Sequence, residues 1–238
     1  MIENRMNRRR RERQSGSTLL EFAIVVPCLV LLFFGTVGLG VMMGRYIQCV
    51  QVGRDVAHMY SDGVDFTQTT PQSIIIQQLA AGIGMTTSGG NGTSTPDTTG
   101  NGVIIFSQIQ TVYQVDCTAA AVSNCANLGL PVFTQRIVVG NSSLRSSNYG
   151  TPTSTLMDAS GNISASVYLA NTNSSVRVSS AFETQLATAA IAAGLSGTAP
   201  VQPQGNIVYM VETYFQYPDI GFLGWSTTGG AYTCFIFN

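Results

Sequence analysis

The side chain in this sequence most unusually placed for chemistry is Glu21, a carboxylate at the start of a long apolar run. A charged group entering hydrocarbon is costly unless it finds a partner, so an acid in that position is a functional candidate by default. Its surroundings read Gly16-Ser17-Thr18-Leu19-Leu20-Glu21-Phe22: a glycine, four residues, the acid, an aromatic ring, then the hydrophobic segment. The second candidate is the pair Cys117 and Cys125, separated by the polar stretch TAAAVSN. Outside the reducing cytoplasm such a pair can oxidise and close a small loop, worth roughly 2–3 kcal/mol in the chain-entropy picture. The alternative is two separate thiols. Cys28, inside the apolar run, reads as a small packing residue, and Cys49 and Cys234 are either free or paired with each other.

Other chemistry lacks its parts. A Ser-His-Asp hydrolase would have to use His58, the only histidine, which follows Asp55 on a helical stretch with no nucleophile elbow in the chain. Lysine is absent, so there is no phosphate-cradling glycine loop ending in Lys. Asp62, Asp65, Asp97, Asp116 and Asp158 lack the spacing of a calcium loop; for Asp62 and Asp65 a solvated turn is favoured over a calcium site. One histidine and no paired Cys-x-x-Cys motifs argue against zinc. No catalytic residue, metal site or cofactor is expected, and the chain reads as a non-enzyme.

The elements that position Glu21 are plain. Phe22 to Gly44 carries no charged side chain and is longer than the ~20 residues a helix needs to cross a bilayer. Ahead of it stand Arg5, Arg8, Arg9, Arg10, Arg11 and Arg13 against Glu3 and Glu12, a net +4 in a chain whose total is −1, so the remainder carries −5. Arginines immediately before an apolar span are a topology signal, which accounts for them more simply than nucleic-acid binding does; no nucleic-acid partner is expected. They keep the N-terminus in the cytoplasm and place everything after Arg45 outside, a single pass. Thr36, Gly40 and Gly44 recur every fourth residue and form a small-residue face where a second helix can approach; the competing reading is that glycine is simply common in membrane helices. Pro27 is expected to kink the helix or to be absorbed by local unwinding.

The junction resembles the prepilin cleavage motif of type IV pilins, and most closely the TadE-like pseudopilins of the Tad (Flp) branch, over roughly residues 14 to 60. The resemblance rests on Gly16, Glu21, Phe22, Pro27 and the upstream basic run, in that order. It implies cutting between Gly16 and Ser17 by a prepilin peptidase at the cytoplasmic face, glycine letting an extended segment enter the enzyme. It also implies that Glu21, then the fifth residue of the mature chain, meets the new N-terminal amine of a neighbouring subunit. Implied partners are that peptidase, other major and minor pilin subunits and an assembly platform in the bacterial inner membrane. Implied function is a minor pilin or pseudopilin that primes, assembles or caps the pilus, since major Flp pilins are much shorter. Two alternatives stay open: an uncut signal-anchored periplasmic binding module or tip adhesin, in which Glu21 snorkels to the interface, and a signal peptide cut after Gly40.

Past Arg45 the helical spacing of Tyr46, Cys49, Val50, Gly53, Val56, Ala57 and Tyr60 predicts a stem that continues to Ser61-Asp62-Gly63. The expected division is a basic leader at 1–16, a transmembrane and stem helix at 17–62, and an extracytoplasmic α+β domain at 63–238. In that domain we expect a helix starting at Thr70-Pro71 and carrying Ile74, Ile75, Leu79 and Ile83, then a flexible loop over 84–102. Strands are expected at Val103–Val115, Val132–Val139, Ile207–Tyr217 and Ala231–Phe237, with a helix at Ser179–Ala193 and surface loops at 140–161 and 194–206. The fold class is α+β and pilin-like: a long N-terminal transmembrane/stem helix packed on a small antiparallel sheet of three to five strands.

Overall fold

The computed structural model describes residues 3–75, 79–85, 87–88, 95–96, 100–170, 174–184, 205, 207–216 and 229–237, with the backbone alone at 3–18, 69, 73–74, 87–88, 95–96 and 174. It divides into two compact units, Met1–Gly44 and Arg45–Asn238.

The first unit is helical. Helix α1, Glu3–Ser61, begins well before the expected start near Ser17 and runs through Pro27 without interruption. The early start has a compositional reason: Arg, Glu, Gln and Met are strong helix formers, and only Ser15-Gly16-Ser17 weakens the stretch. Gly16 is therefore helical here rather than extended.

The second unit is a layered α+β domain built on a four-stranded antiparallel sheet in the order β4-β3-β5-β6. The strands are β3 Gly102–Thr111, β4 Pro131–Gly140, β5 Ile207–Gln216 and β6 Gly230–Phe237. One sheet face takes the stem. Cys49, Val52, Val56, Ala57 and Tyr60 of α1 pack with Ile104, Phe106, Ile137, Val139, Val211, Phe215 and Ala231. The stem ends at Gly63, whose φ of 86° only glycine adopts readily. Phe66 then folds back to stack on Phe106, ring centroids 4.3 Å apart. The opposite face is covered by the chain between β4 and β5: Tyr149, Ile163, Val178 and Phe182 pack on Ile109, Phe133, Val208 and Met210. With both faces covered, six successive residues of β3, Gly102 to Ser107, are buried, a continuous buried run in place of alternation.

Several boundaries differ from expectation. The strand predicted to reach Val115 stops at Thr111 because Tyr113 opens helix α3, Gln114–Ala119, its N–H donating to Asp116 Oδ2 at 2.8 Å. This side-chain capture satisfies a donor that an extended strand would leave bare. Helix α2 covers Thr69–Ile75, and Ala81–Ile83 forms a separate 3₁₀ turn. The expected loop 84–102 is narrower than its composition suggested: Met85 is buried in the core, Gly102 already belongs to β3, and β1 Thr87–Ser88 pairs with β2 Thr95–Pro96. The stretch 140–161 contains a 3₁₀ turn at Ser154–Leu156 and the buried Tyr149. Helix α4, Ala165–Ala170, was not anticipated. Of the helix expected at 179–193, residues 180–184 are helical, Ser179 precedes the helix, and 185–193 lie outside the described residues, as does all of the expected loop 194–206 but Gly205.

Candidate functional site

The residues singled out for processing and assembly all lie on α1. Glu21 and Phe22 occupy consecutive positions one turn and more beyond Gly16 and Ser17, and both side chains are exposed. Phe22 is 68% and Leu39 69% exposed, and between them Ile24, Leu32 and Phe33 are at least 63% exposed. So much bare apolar surface around a whole helix is stable only in lipid or against other apolar helices. Leu19–Ser61 includes the one helix segment, among the described residues, that is long and apolar enough to span a membrane; its most apolar stretch has a mean hydropathy of 2.6 and no part buried.

Thr36, Gly40 and Gly44 stand along one side of that helix. The Thr36 hydroxyl donates to Phe33 O at 2.9 Å, so its polarity is satisfied within the helix. A Cβ built on Gly40 or Gly44 meets nothing within 4 Å, so both sites are open for a neighbour's backbone. Gly35 and Gly38 are equally open.

Cys117 and Cys125 form a disulfide, Cα atoms 6.0 Å apart, tying α3 to the chain that leads into β4. Cys117 is buried with Val112, Val132 and Leu169. Cys28, Cys49 and Cys234 are free thiols, which resolves the pairing left open for the last two. Cys49 Sγ lies 3.8 Å from Thr213 Oγ1 and 3.7 Å from Ala231 O, where the stem meets the sheet.

The most polar buried assembly is one that sequence reasoning missed. Glu212 in β5 and Arg136 in β4 are each 2% exposed, with Arg136 Nη1 3.8 Å from Glu212 Oε2. Glu212 Oε1 accepts from Tyr232 OH at 2.8 Å and from Asn148 N at 3.1 Å, while Arg136 donates to Gly150 O and lies over the Phe133 ring. Arg145 stacks on Tyr232, 4.2 Å from the ring centroid. Burial lowers Arg136 to about 10, opposed by the nearby carboxylate. Burial also pushes the Cys234 thiol up to about 11 and raises the Tyr149 and Tyr232 phenols. The pair holds residues 148–150 against the sheet. A lone Arg and a lone Glu in strand patterns were the available signal, since strand alternation aimed both inward.

Among the described residues no three His, Cys, Asp or Glu side chains gather as a metal site. His58 packs against Phe237, ring centroids 4.7 Å apart, and serves the stem's contact with β6.

Compared with known families, residues 16–58 match the family described as TadE-like protein. Neither a curated protein nor a solved structure matches the chain.

Proposed function

We propose that this chain, TadE-like over residues 16–58 and so pilin-like and associated with the Tad pilus, is a minor pilin or pseudopilin that primes, assembles or caps that pilus. The observation that carries the reading is one of position. The family match begins at Gly16, the residue that ends the basic block, and runs through an apolar helix whose surface is bare on all sides.

In this reading a prepilin peptidase removes residues 1–16, and the helix from Ser17 stays in the cytoplasmic membrane or passes into the filament. The open face at Thr36, Gly40 and Gly44 receives the helix of another major or minor subunit, and backbones approach closely because no side chain intervenes. The domain after Gly63 lies on the outer side, where the oxidising compartment suits the Cys117–Cys125 disulfide. The role is structural rather than catalytic, and the inner-membrane assembly platform is the remaining partner.

Mass spectrometry of the N-terminal peptide, taken from membranes of the native host, tests this. A mature chain starting at Ser17 supports prepilin processing. An intact Met1 points to an uncut anchored module, and a start at Val41 points to a secreted domain; either would overturn the proposal.

A further inference from the structure

The stem-facing side of the sheet changes character where the stem ends. Under the helix, the cross-strand row Ile137–Phe106–Val211–Phe235 is apolar. The next row, Gln135–Gln108–Tyr209–Phe237, brings two carboxamides and a phenol side by side. Above that row the chain turns away at Gly63, leaving an open cleft of about 170 Å³ between Tyr60, Val64 and Asp65 on one side and Gln108, Gln135 and Tyr209 on the other.

Its walls are fixed. Tyr60 and Tyr209 meet edge to face, centroids 5.2 Å apart at 86°. Tyr60 OH donates to Gln135 Oε1 at 2.9 Å, and Gln135 Nε2 donates to Asn162 Oδ1 at 2.8 Å. A carboxamide has two N–H donors and two acceptor lone pairs, so Gln135 retains capacity for one further bond of each kind while its orientation is set. Asp65 at the rim accepts from the Thr67 hydroxyl at 2.6 Å and from the Thr67 N–H at 2.9 Å, and these donors hold its carboxyl below the usual range, so it is charged at neutral pH.

We infer that this cleft binds one neutral sugar ring, a hexopyranose unit of a glycan. Size is the first reason: sites for drug-sized ligands begin near ~300 Å³, so this one takes a single small ring or side chain. Charge is the second: the lining residues include no cation and one rim carboxylate, which disfavours phosphate- and carboxylate-bearing ligands. Chemistry is the third: the cleft sets the part-exposed Tyr209 ring, backed by the buried Tyr60, beside carboxamides that both donate and accept, matching a pyranose with its apolar C–H face and its rim of hydroxyls.

The test is saturation-transfer NMR on the full chain in detergent micelles, with N-acetylglucosamine and glucose as probes and glutamine as an amide-bearing comparison. Transfer to the ring protons of at least one sugar is expected, weakened about fivefold by Gln108→Leu, which removes a hydrogen-bonding partner. Tyr209→Leu should weaken it similarly, and circular dichroism of both variants shows whether the domain remains folded. No transfer to either sugar overturns the assignment, as does transfer undiminished in folded Gln108→Leu and Tyr209→Leu. Transfer to glutamine alone would instead assign the cleft to a protein side chain. None of these outcomes depends on whether residues 1–16 are removed.

Discussion

A Cβ placed on Gly53 would lie 2.7 Å from Thr213 Oγ1, and 2.9 Å from both Thr233 Oγ1 and a ring carbon of Phe235. The stem rests directly on β5 and β6 at this point, and the two threonine hydroxyls are hydrogen-bonded to each other beneath it. Alanine at a helical position ordinarily gains up to ~1 kcal/mol over glycine. Here that gain is set against the cost of overpacking, ~1–3 kcal/mol, and the clash should win. Gly53→Ala is expected to lower the urea midpoint of the domain and Gly53→Val to lower it further. A midpoint unchanged or raised in Gly53→Ala would show that the stem stands off the sheet.

The clasp on residues 148–150 predicts an asymmetry between single and double variants. Glu212→Leu leaves Arg136 charged and buried, and removing one member of such a pair costs about 3–5 kcal/mol. Glu212→Leu combined with Arg136→Met removes both desolvation penalties and should recover most of that loss. Hydrogen exchange at the Asn148 amide, which donates to Glu212, should speed up in both variants. Equal stability losses in single and double variants would mean that the charges are not coupled.

How far the sequence revealed this molecule depends on which physics is local. The apolar run, the arginine block and the period of the stem are properties of consecutive residues, and the four sheet strands were legible because β-branched and aromatic residues cluster in them. Helix α3 was hidden because Val112, Tyr113 and Val115 look like strand; Asp116, capturing the Tyr113 N–H, decides otherwise. Helix α4 is one short stretch whose only fully buried side chain is Leu169, too few apolar positions to show a period. The Arg136–Glu212 pair joins residues far apart in sequence, and only the β4-β3-β5 order brings them together. The same holds for the amide row, since Gln135, Gln108 and Tyr209 become neighbours through strand register alone.

Three acidic groups beside the clasp, Cys234, Tyr149 and Tyr232, predict weakness at alkaline pH. Folded Cys234 titrates near 11, well above an ordinary thiol, and the Tyr149 and Tyr232 phenols are also raised, in each case first by burial. Above the unfolded pKa the folded state holds protons that the unfolded chain has released, so stability falls as pH rises. For Cys234 the loss begins near the ordinary thiol value of about 9 and proceeds to about 11. The urea midpoint should therefore drop between pH 8.5 and pH 10.5, and Cys234→Ala should flatten the lower part of that slope. A flat profile in the unaltered protein would contradict the burial of this cluster.

The Cys117–Cys125 disulfide closes a loop of nine residues counted with both cysteines. In the chain-entropy picture a loop of that length contributes ~2–3 kcal/mol through the unfolded state. Replacing both cysteines with alanine should cost about that much, plus a smaller packing loss at buried Cys117. The effect should be confined to the sheet domain after Gly63. Helical content should therefore persist while the sheet's urea midpoint falls; identical midpoints with and without reductant would show that the bond contributes nothing.

Gly16 and Glu21 belong to different steps in the proposed maturation, and substitutions should separate them. Gly16 is helical, so a peptidase that needs an extended strand must unwind the Ser15-Gly16-Ser17 stretch, the weakest helix-forming part of the junction. Gly16→Phe adds a bulky side chain at the cut and should leave the full-length chain in the membrane. Glu21→Ala leaves the cleavage site intact, and mature protein starting at Ser17 should appear at normal levels. What it removes, on the proposed assembly, is the partner for a neighbouring subunit's N-terminal amine. Two such charges ~4 Å apart attract by about 4 kcal/mol at an effective dielectric of ~20. Even a third of that changes an assembly equilibrium about tenfold. The pilus fraction sheared from cells should fall by at least that factor in Glu21→Ala, with the membrane pool unchanged. Normal maturation of Gly16→Phe would count against prepilin processing as a whole, whereas normal assembly of Glu21→Ala would remove only the charge pairing and leave the cleavage step standing.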